Sequence, residues 1–309
     1  MQCEVAHRRT IRLATLRHDP VSNHHLKHAA AMIPLFPVVV ALVVPTSEPI
    51  IRRADRPDSA YCHLAAHSKA LVSIGRAGDG TLIGPKWVLT AGHVAQAFAT
   101  RQPEKSSVEI GGATYRVAAT FVHPDWTEMG PNDVGLLRLE RAVSGVTPVS
   151  LYRGRNETGL TATLLGHGKA GTGANRDHVE DARARGATSR VDSADSQWLY
   201  FSFDAPPSGT DLEGAPGPGD SGGPALITVG GKTYIAGVSS AGYDGVDGPG
   251  TYGAIDVFTR VSTHLAWIDS VMKNVTYNAA GVASTQNPAL STVQNIQFAI
   301  SILFPKMAG

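Results

Sequence analysis

A serine, a histidine and an aspartate carry the chemistry this sequence offers. The string Gly219-Asp220-Ser221-Gly222-Gly223-Pro224 sets a serine among glycines. A serine hydroxyl is a weak nucleophile until a base takes its proton. The carbonyl it attacks becomes an oxyanion, which needs hydrogen-bond donors aimed at it. Glycines on either side let the backbone turn so that its N–H groups converge, and they leave room for another chain. For a serine among glycines alone, a surface turn would be the ordinary reading; the six-residue string is much more specific. Thr90-Ala91-Gly92-His93 follows an apolar run, and an imidazole with a reference pKa of ~6.5 suits proton transfer near neutrality. The chain has 12 histidines, so one alone means little. His24, His25 and His28 resemble a metal cluster but precede an apolar leader, and are read as part of a removed segment. Asp133 opens the mostly apolar run 134–139, where a carboxylate needs a partner. Pairing with a histidine ring N–H would fix the tautomer, so that the other nitrogen accepts the serine proton. For Asp133 alone, a strand-capping role is the better reading.

Together the three strings resemble the trypsin/chymotrypsin-like (S1) serine peptidases. The order His93, Asp133, Ser221 and the 40- and 88-residue spacings are similar to that family. So are Gly80-Thr81-Leu82-Ile83-Gly84, Trp87 to His93, Asp133-Val134-Gly135-Leu136-Leu137 and Gly219 to Pro224. Weaker matches are Ala236 to Ser240, Pro249-Gly250-Thr251-Tyr252, and Thr259-Arg260-Val261 to Trp267-Ile268. The resemblance covers about residues 50–272. It implies an all-β fold of two packed six-stranded antiparallel β-barrels with a C-terminal helix, His93 and Asp133 in the first barrel and Ser221 in the second. It implies catalysis by His93, Asp133 and Ser221, and an oxyanion hole from the backbone N–H groups of Gly219 and Ser221. Ser239 would hydrogen-bond Asp133 from behind. Ala215, Ser240, Gly242 and Gly250 would line the substrate pocket. Asp220 would receive a new N-terminal amine at Ile50 after an activating cut.

Departures from the family sharpen these expectations. Val94 follows the histidine where a half-cystine is usual, which resembles the disulfide-poor bacterial branch. The position six before the nucleophile is Ala215 rather than Asp. A neutral floor there predicts an uncharged side chain at P1, the substrate residue before the cut bond, unless the nearby Glu213 reaches in. The family's tryptophan is replaced by Ser240. Ile50 and Ile51 lie 43 and 42 residues before His93, yet Pro49 precedes them, so a trypsin-like activator has no basic residue to cut after. Either another protease trims to one of these isoleucines, or Arg52 or Arg53 supplies positive charge to Asp220.

The elements that must position these residues read as short strands between Gly- and Pro-rich turns: 70–74, 87–90, 115–122, 134–139, 161–165, 198–203, 225–228 and 233–238. Many short strands with few helical patterns point to a sandwich or barrel. The clear helix follows Arg260, with Ser262 as N-cap and Leu265, Ile268 and Met272 on one face. Residues 168–197 read as a long polar excursion with a strand near 187–191.

The chain has 309 residues, 42% hydrophobic and 17% charged, with a formal net charge of +1. That balance gives no general reason to expect nucleic acid as a partner. The run 29–44 is apolar and follows the basic residues Arg8, Arg9, Arg12, Arg17 and Lys27, the order of a secretory signal. It is short for a membrane span and holds Pro34 and Pro37. The expected organisation is therefore a leader over 1–47, a peptidase domain over 48–272 and a tail of unassigned role over 273–309. The expected location is extracellular, without stable membrane association once the leader is removed. A membrane anchor is the lesser reading. Of the two cysteines, Cys3 lies in the leader and Cys62 is left unpaired, so disulfides are not the stabilising device. No metal or organic cofactor is implied, and Asp244 to Asp247 does not fit a calcium loop. Peptide or protein substrates and a monomer are expected. Two rivals remain: a catalytically silent binding protein on the same fold, and an esterase. Gly219 to Gly223 fits a Gly-x-Ser-x-Gly elbow, but the order of the triad is not that of the elbow hydrolases.

Overall fold

The computed structural model describes residues 50–100, 106–128, 130–175, 179, 181 and 183–274, with the backbone of 276–277 and 283–284. The expected leader and Cys3 lie outside the described residues, as does nearly all of the tail.

Six strands close the first barrel: β1 (Leu71–Ser73), β2 (Asp79–Gly84), β3 (Trp87–Thr90), β4 (Ser107–Ile110), β5 (Ala113–Val122) and β6 (Gly135–Leu139). They run in the order β1-β2-β3-β6-β5-β4, all antiparallel. Closure leaves no unpaired strand edge. Val72, Leu82, Val88, Leu89, Leu136 and Leu137 are completely buried. Every residue of β6 is buried, because one face lines the barrel and helix α2 (Gly92–Ala99) packs over β5 and β6. The helix comes so close that a Cβ on Gly135 would lie 2.5 Å from that of Ala95.

The second lobe is a sheet curled into a half-barrel. Its strands are β7 (Thr161–Gly166), β8 (Arg185–Arg190), β9 (Ser193–Ala194), β10 (Trp198–Ser202), β11 (Pro224–Val229), β12 (Lys232–Tyr243) and β13 (Ile255–Arg260). Their order is β8-β7-β11-β12-β13-β10-β9, and Ser150–Leu151 pairs with β12 alongside. A small sheet sets Ile50–Arg52 between Ala170–Thr172 and Gly214–Ala215. The all-β two-lobed expectation therefore holds, with the first lobe a closed barrel and the second an open one. Helix α3 (Val261–Asn274) follows β13 directly.

Three local expectations differ. The short helices α1 (Asp58–Ala66) and α2 carry too few turns to show a period in sequence. Ser262 lies inside α3 rather than capping it, and its hydroxyl serves the buried Glu157 at 2.9 Å. The strand near 187–191 starts earlier, at Arg185. Among the described residues no helix is long and apolar enough to cross a membrane.

Candidate active site

His93 is the second residue of α2, where backbone N–H groups have no partner inside the helix. Its N–H donates to Asp133 Oδ1 at 2.8 Å, and its ring Nδ1 meets Asp133 Oδ2 at 2.8 Å. One carboxylate thus fixes both the backbone and the ring, and leaves Nε2 as the nitrogen that can accept a proton. Asp133 is buried two residues before β6, while the His93 side chain is about one-third exposed. Thr259 Oγ1 donates to the Asp133 carbonyl, and a further hydroxyl donates to Oδ2 at 2.6 Å. That hydroxyl belongs to Ser240. The sequence reading gave it to Ser239, which instead exchanges backbone hydrogen bonds with Gly222 and Gly223. The cause is an irregularity in register between Ser239 and Ala241, where β12 pairs with β13. A bulge turns a side chain to the other face, so Ser240 supports the triad instead of lining the pocket. It follows that Ala241, not Ser240, stands where the family has tryptophan.

Ser221 lies in the turn between Gly214–Ala215 and β11. The N–H groups of Asp220, Gly222 and Gly223 are all used, on Gly217, Ser239 and Asp220 carbonyls. Those of Gly219 and Ser221 donate to nothing within the described residues. Gly219 has φ +104°, a conformation side-chain-bearing residues avoid. The turn is docked on the first barrel: Asp79 N donates to the Ser221 carbonyl at 2.8 Å. A Cβ on Gly222 would lie 2.2 Å from Thr90 Oγ1, just before Gly92 and His93. No hydrogen bond joins Ser221 Oγ to His93 in this structure. Such contacts commonly tighten only when substrate is bound.

Behind the turn, Asp220 is completely enclosed. It accepts from Gly168 N at 2.6 Å and Gly217 N at 2.7 Å, and from the backbone N–H of Ile50. Burial, then the charge of Asp79, pushes its carboxyl up to about 7. Ile50 is fully buried and has φ +60°. Neither arginine proposed as a substitute cation reaches Asp220. Arg53 holds Asp55 and the Thr210 carbonyl, and Arg52 holds the Arg56 carbonyl. Asp79, whose N–H donates to the Ser221 carbonyl, is bound through both oxygens by His167.

The pocket residues separate. Ala215 is buried beside Ile51, its strand partner, and packs with Phe203 and Ala254. The Glu213 carboxylate turns away to Thr210 N and Oγ1, at 2.6 and 2.7 Å. Gly250 stands in the loop between β12 and β13, just after a tight turn closed by paired hydrogen bonds between Gly245 and Gly248, and is not the strand partner of Gly242. The residue opposite Gly242 is Asp256 of β13. A Cβ on Gly242 would lie 3.1 Å from Asp256 Oδ1. Asp256 is 9% exposed and has no hydrogen-bond or ion-pair partner among the described residues. Burial, then the charge of Asp220, pushes its carboxyl up to about 8. Sequence reasoning missed this group, although an acid inside the β-run Ile255–Arg260 is the same signal that marked Asp133.

The model of the family described as Trypsin matches residues 63–268, two thirds of the chain. The chain belongs to the trypsin family. Relatives of this trypsin-family chain include the urokinase-type plasminogen activator of Gallus gallus, 29% identical over 229 residues, 63% of this chain and 51% of that protein. Trypsin-1 of Astacus astacus is 27% identical over 61% of this chain and 84% of its own. The inactive CLIP domain-containing serine protease A3 of Aedes aegypti is 25% identical over 72% and 53%. The chain spans about half the length of the chicken and mosquito proteins. Among solved structures it is similar to neuropsin, a serine protease expressed in the limbic system of mouse brain. The TM-score is 0.53 at 21% identity, over 72% of this chain and 99% of that one, a likeness of fold.

Proposed function

We propose that this trypsin-family protein is a secreted serine endopeptidase acting on peptides or proteins through an acyl-enzyme. The observation that carries the reading is the pair of uncommitted N–H groups, Gly219 and Ser221, in a turn docked beside the His93–Asp133 pair. Ser221 attacks the scissile carbonyl while His93 Nε2 takes its proton. The imidazolium is stabilised by Asp133, and the carbonyl oxygen, now negative, falls to the Gly219 and Ser221 donors. His93 then protonates the leaving amine, and water repeats the sequence to release the acid. Wild-type protein is expected to label with a fluorophosphonate probe and to cut peptides, and Ser221→Ala to do neither, losing on the order of 10⁴–10⁶ in turnover. Peptide cleavage by Ser221→Ala at the wild-type rate would sink the mechanism. The mosquito relative named inactive keeps the silent binder in view, and absence of labelling in wild type would favour it.

The pocket reading changes with Asp256. A buried carboxylate without a partner favours a cationic side chain that would pair with it. Its raised carboxyl is mostly protonated below about pH 8, so binding a cation releases a proton. Preference for Arg or Lys over uncharged P1 is therefore expected to grow as pH rises through that region, and to fade in acid. A substrate-library profile that does not change between pH 6 and 9 would overturn this.

Activation is proposed to occur by a cut before Ile50. Support comes from the Ile50 N–H already at Asp220, where a new ammonium would meet a buried carboxylate. Mass-spectrometric sequencing of active protein tests it: an active form that still carries Glu48-Pro49 rules trimming out.

A further inference from the structure

The nucleophile's turn is held by a second aspartate–histidine pair that the reaction does not use. Asp79 is 1% exposed. Its Oδ2 accepts the backbone N–H of His167 and its Oδ1 meets the ring Nδ1, both at 2.7 Å. This is the same two-point grip that Asp133 has on His93, built from residues 88 apart in sequence. Each partner is then tied to the catalytic turn. Asp79 N donates to the Ser221 carbonyl, and the Asp79 carbonyl accepts Thr90 Oγ1 at 2.6 Å. The residue after His167, Gly168, donates to Asp220 Oδ1, and Lys169 N donates to the Pro218 carbonyl at 2.7 Å. A Cβ on Gly168 would lie 2.6 Å from the Gly219 carbonyl carbon, so the 166–169 turn is pressed against the peptide that follows Gly219. The Gly219 donor thus rests on a turn whose position is set from the first barrel through one carboxylate.

We propose that Asp79 and His167 form a positioning dyad that holds the Gly219 and Ser221 donors in register for the oxyanion; the inference rests on the peptidase reading. The surroundings of the ring also favour its charged form. Burial by itself would lower the His167 pKa, but the hydrogen bond and charge of Asp79, with the charges of Asp220 and Glu109, outweigh it. The His167 ring therefore holds its proton more tightly than a free imidazole, while burial pushes up the carboxyls of both neighbouring acids, Asp79 and Asp220. After activation the Ile50 ammonium would supply the second positive charge. When His167 loses its proton, the two acids are left with one cation fewer and the turn loosens. Ground-state binding of substrate depends on the pocket and is largely spared; stabilisation of the oxyanion is not.

The test uses mature enzyme, a chromogenic peptide amide and a peptide aldehyde, which forms an oxyanion on the serine. His167→Ala is expected to lower kcat on the order of 10²-fold, at the lower end of the loss of one oxyanion donor, with KM within about twofold. The aldehyde should weaken in parallel with kcat. His167→Asn, which keeps a side-chain N–H near the Nδ1 position but no charge, should hold kcat at every pH near the level to which wild type falls in alkali, above His167→Ala, and so lose the fall in kcat that deprotonation of His167 gives wild type. If His167→Ala fails to fold, His167→Asn decides: an alkaline limb identical to wild type overturns the dyad. Equal losses in kcat and KM affinity, with aldehyde binding unchanged, would also overturn it. If wild type itself does not label with fluorophosphonate, the peptidase reading fails and the dyad falls with it. Labelling by wild type together with unaltered His167 variants removes the dyad alone.

Discussion

The two lobes solve burial differently. The first barrel closes on itself and fills its interior with Val72, Leu82, Val88, Leu136 and Ile110. The acids it buries, Asp79 and Asp133, each grip a histidine, whereas the second lobe stays open and also buries ion-paired arginines and acids with no cation beside them. Arg260 is enclosed against Glu157 through two hydrogen bonds of 3.0 and 2.6 Å, and against the Asp195 and Arg155 carbonyls. Arg185, with no side-chain exposure, is gripped by Asp58 and Asp181. Asp220 and Asp256 are buried acids with raised carboxyls. A closed ring satisfies its own backbone and can leave its interior to apolar contact. An open sheet finishes its ends with side chains, and those side chains are then available for recognition. His93 and Asp133 sit in the closed lobe, and Ser221 and Asp256 sit in the open one.

Substitutions in each lobe test this division. Asp133→Asn is expected to lower kcat about 10⁴-fold by admitting the wrong histidine tautomer, with fluorophosphonate labelling slowed in step. Wild-type labelling kinetics in that variant would dissociate the closed lobe from proton transfer. Glu157→Ala, which strands Arg260, should cost about 3–5 kcal/mol in denaturant unfolding. Leu136→Ala, a cavity in the closed barrel, should cost about 2–5 kcal/mol. The two should differ in pH response. Burial would raise the Glu157 carboxyl, but hydrogen bonds from Arg260 and Ser262 hold it below its ordinary value. Its contribution is therefore present above the unfolded carboxylate pKa and lost as pH falls. The Glu157→Ala cost should shrink in acid, and the Leu136→Ala cost should not.

The smallest effect has the opposite sign. The folded state keeps the Asp256 proton up to about pH 8, whereas the unfolded chain releases it at ordinary carboxylate pH. Stability from this group falls as pH rises across that window. Asp256→Asn should therefore stabilise the protein at pH 9 by on the order of 1–3 kcal/mol, while discarding preference for cationic P1. A variant no more stable than wild type at pH 9 would mean that Asp256 ionises at no cost.

The strings around His93, Asp133 and Ser221 were legible because each combines a turn or strand boundary with a reactive side chain. Most strands were legible from short β-prone runs between glycines. What failed depended on geometry that sequence does not encode locally. Ser239 and Ser240 are chemically identical neighbours, and only the bulge between β12 and β13 decides which one faces Asp133. Gly250 sits in a familiar string, but the strand register puts Asp256 in its place. Asp79 and His167 carry no mutual signal, because their partnership exists only once the two lobes meet.

Ile50 has one further consequence. A β-branched residue held at φ +60° stores energy, on the order of 1–3 kcal/mol. The torsion φ exists only while residue 49 is attached, since it is defined by the preceding carbonyl carbon. A cut before Ile50 therefore abolishes the strained coordinate itself instead of relaxing it. The uncut chain behaves as a cocked spring whose catch is a single peptide bond. On the proposed activation, resynthesis of that bond in place would have to rewind it, which biases the step toward the cut chain even before the new amine meets Asp220.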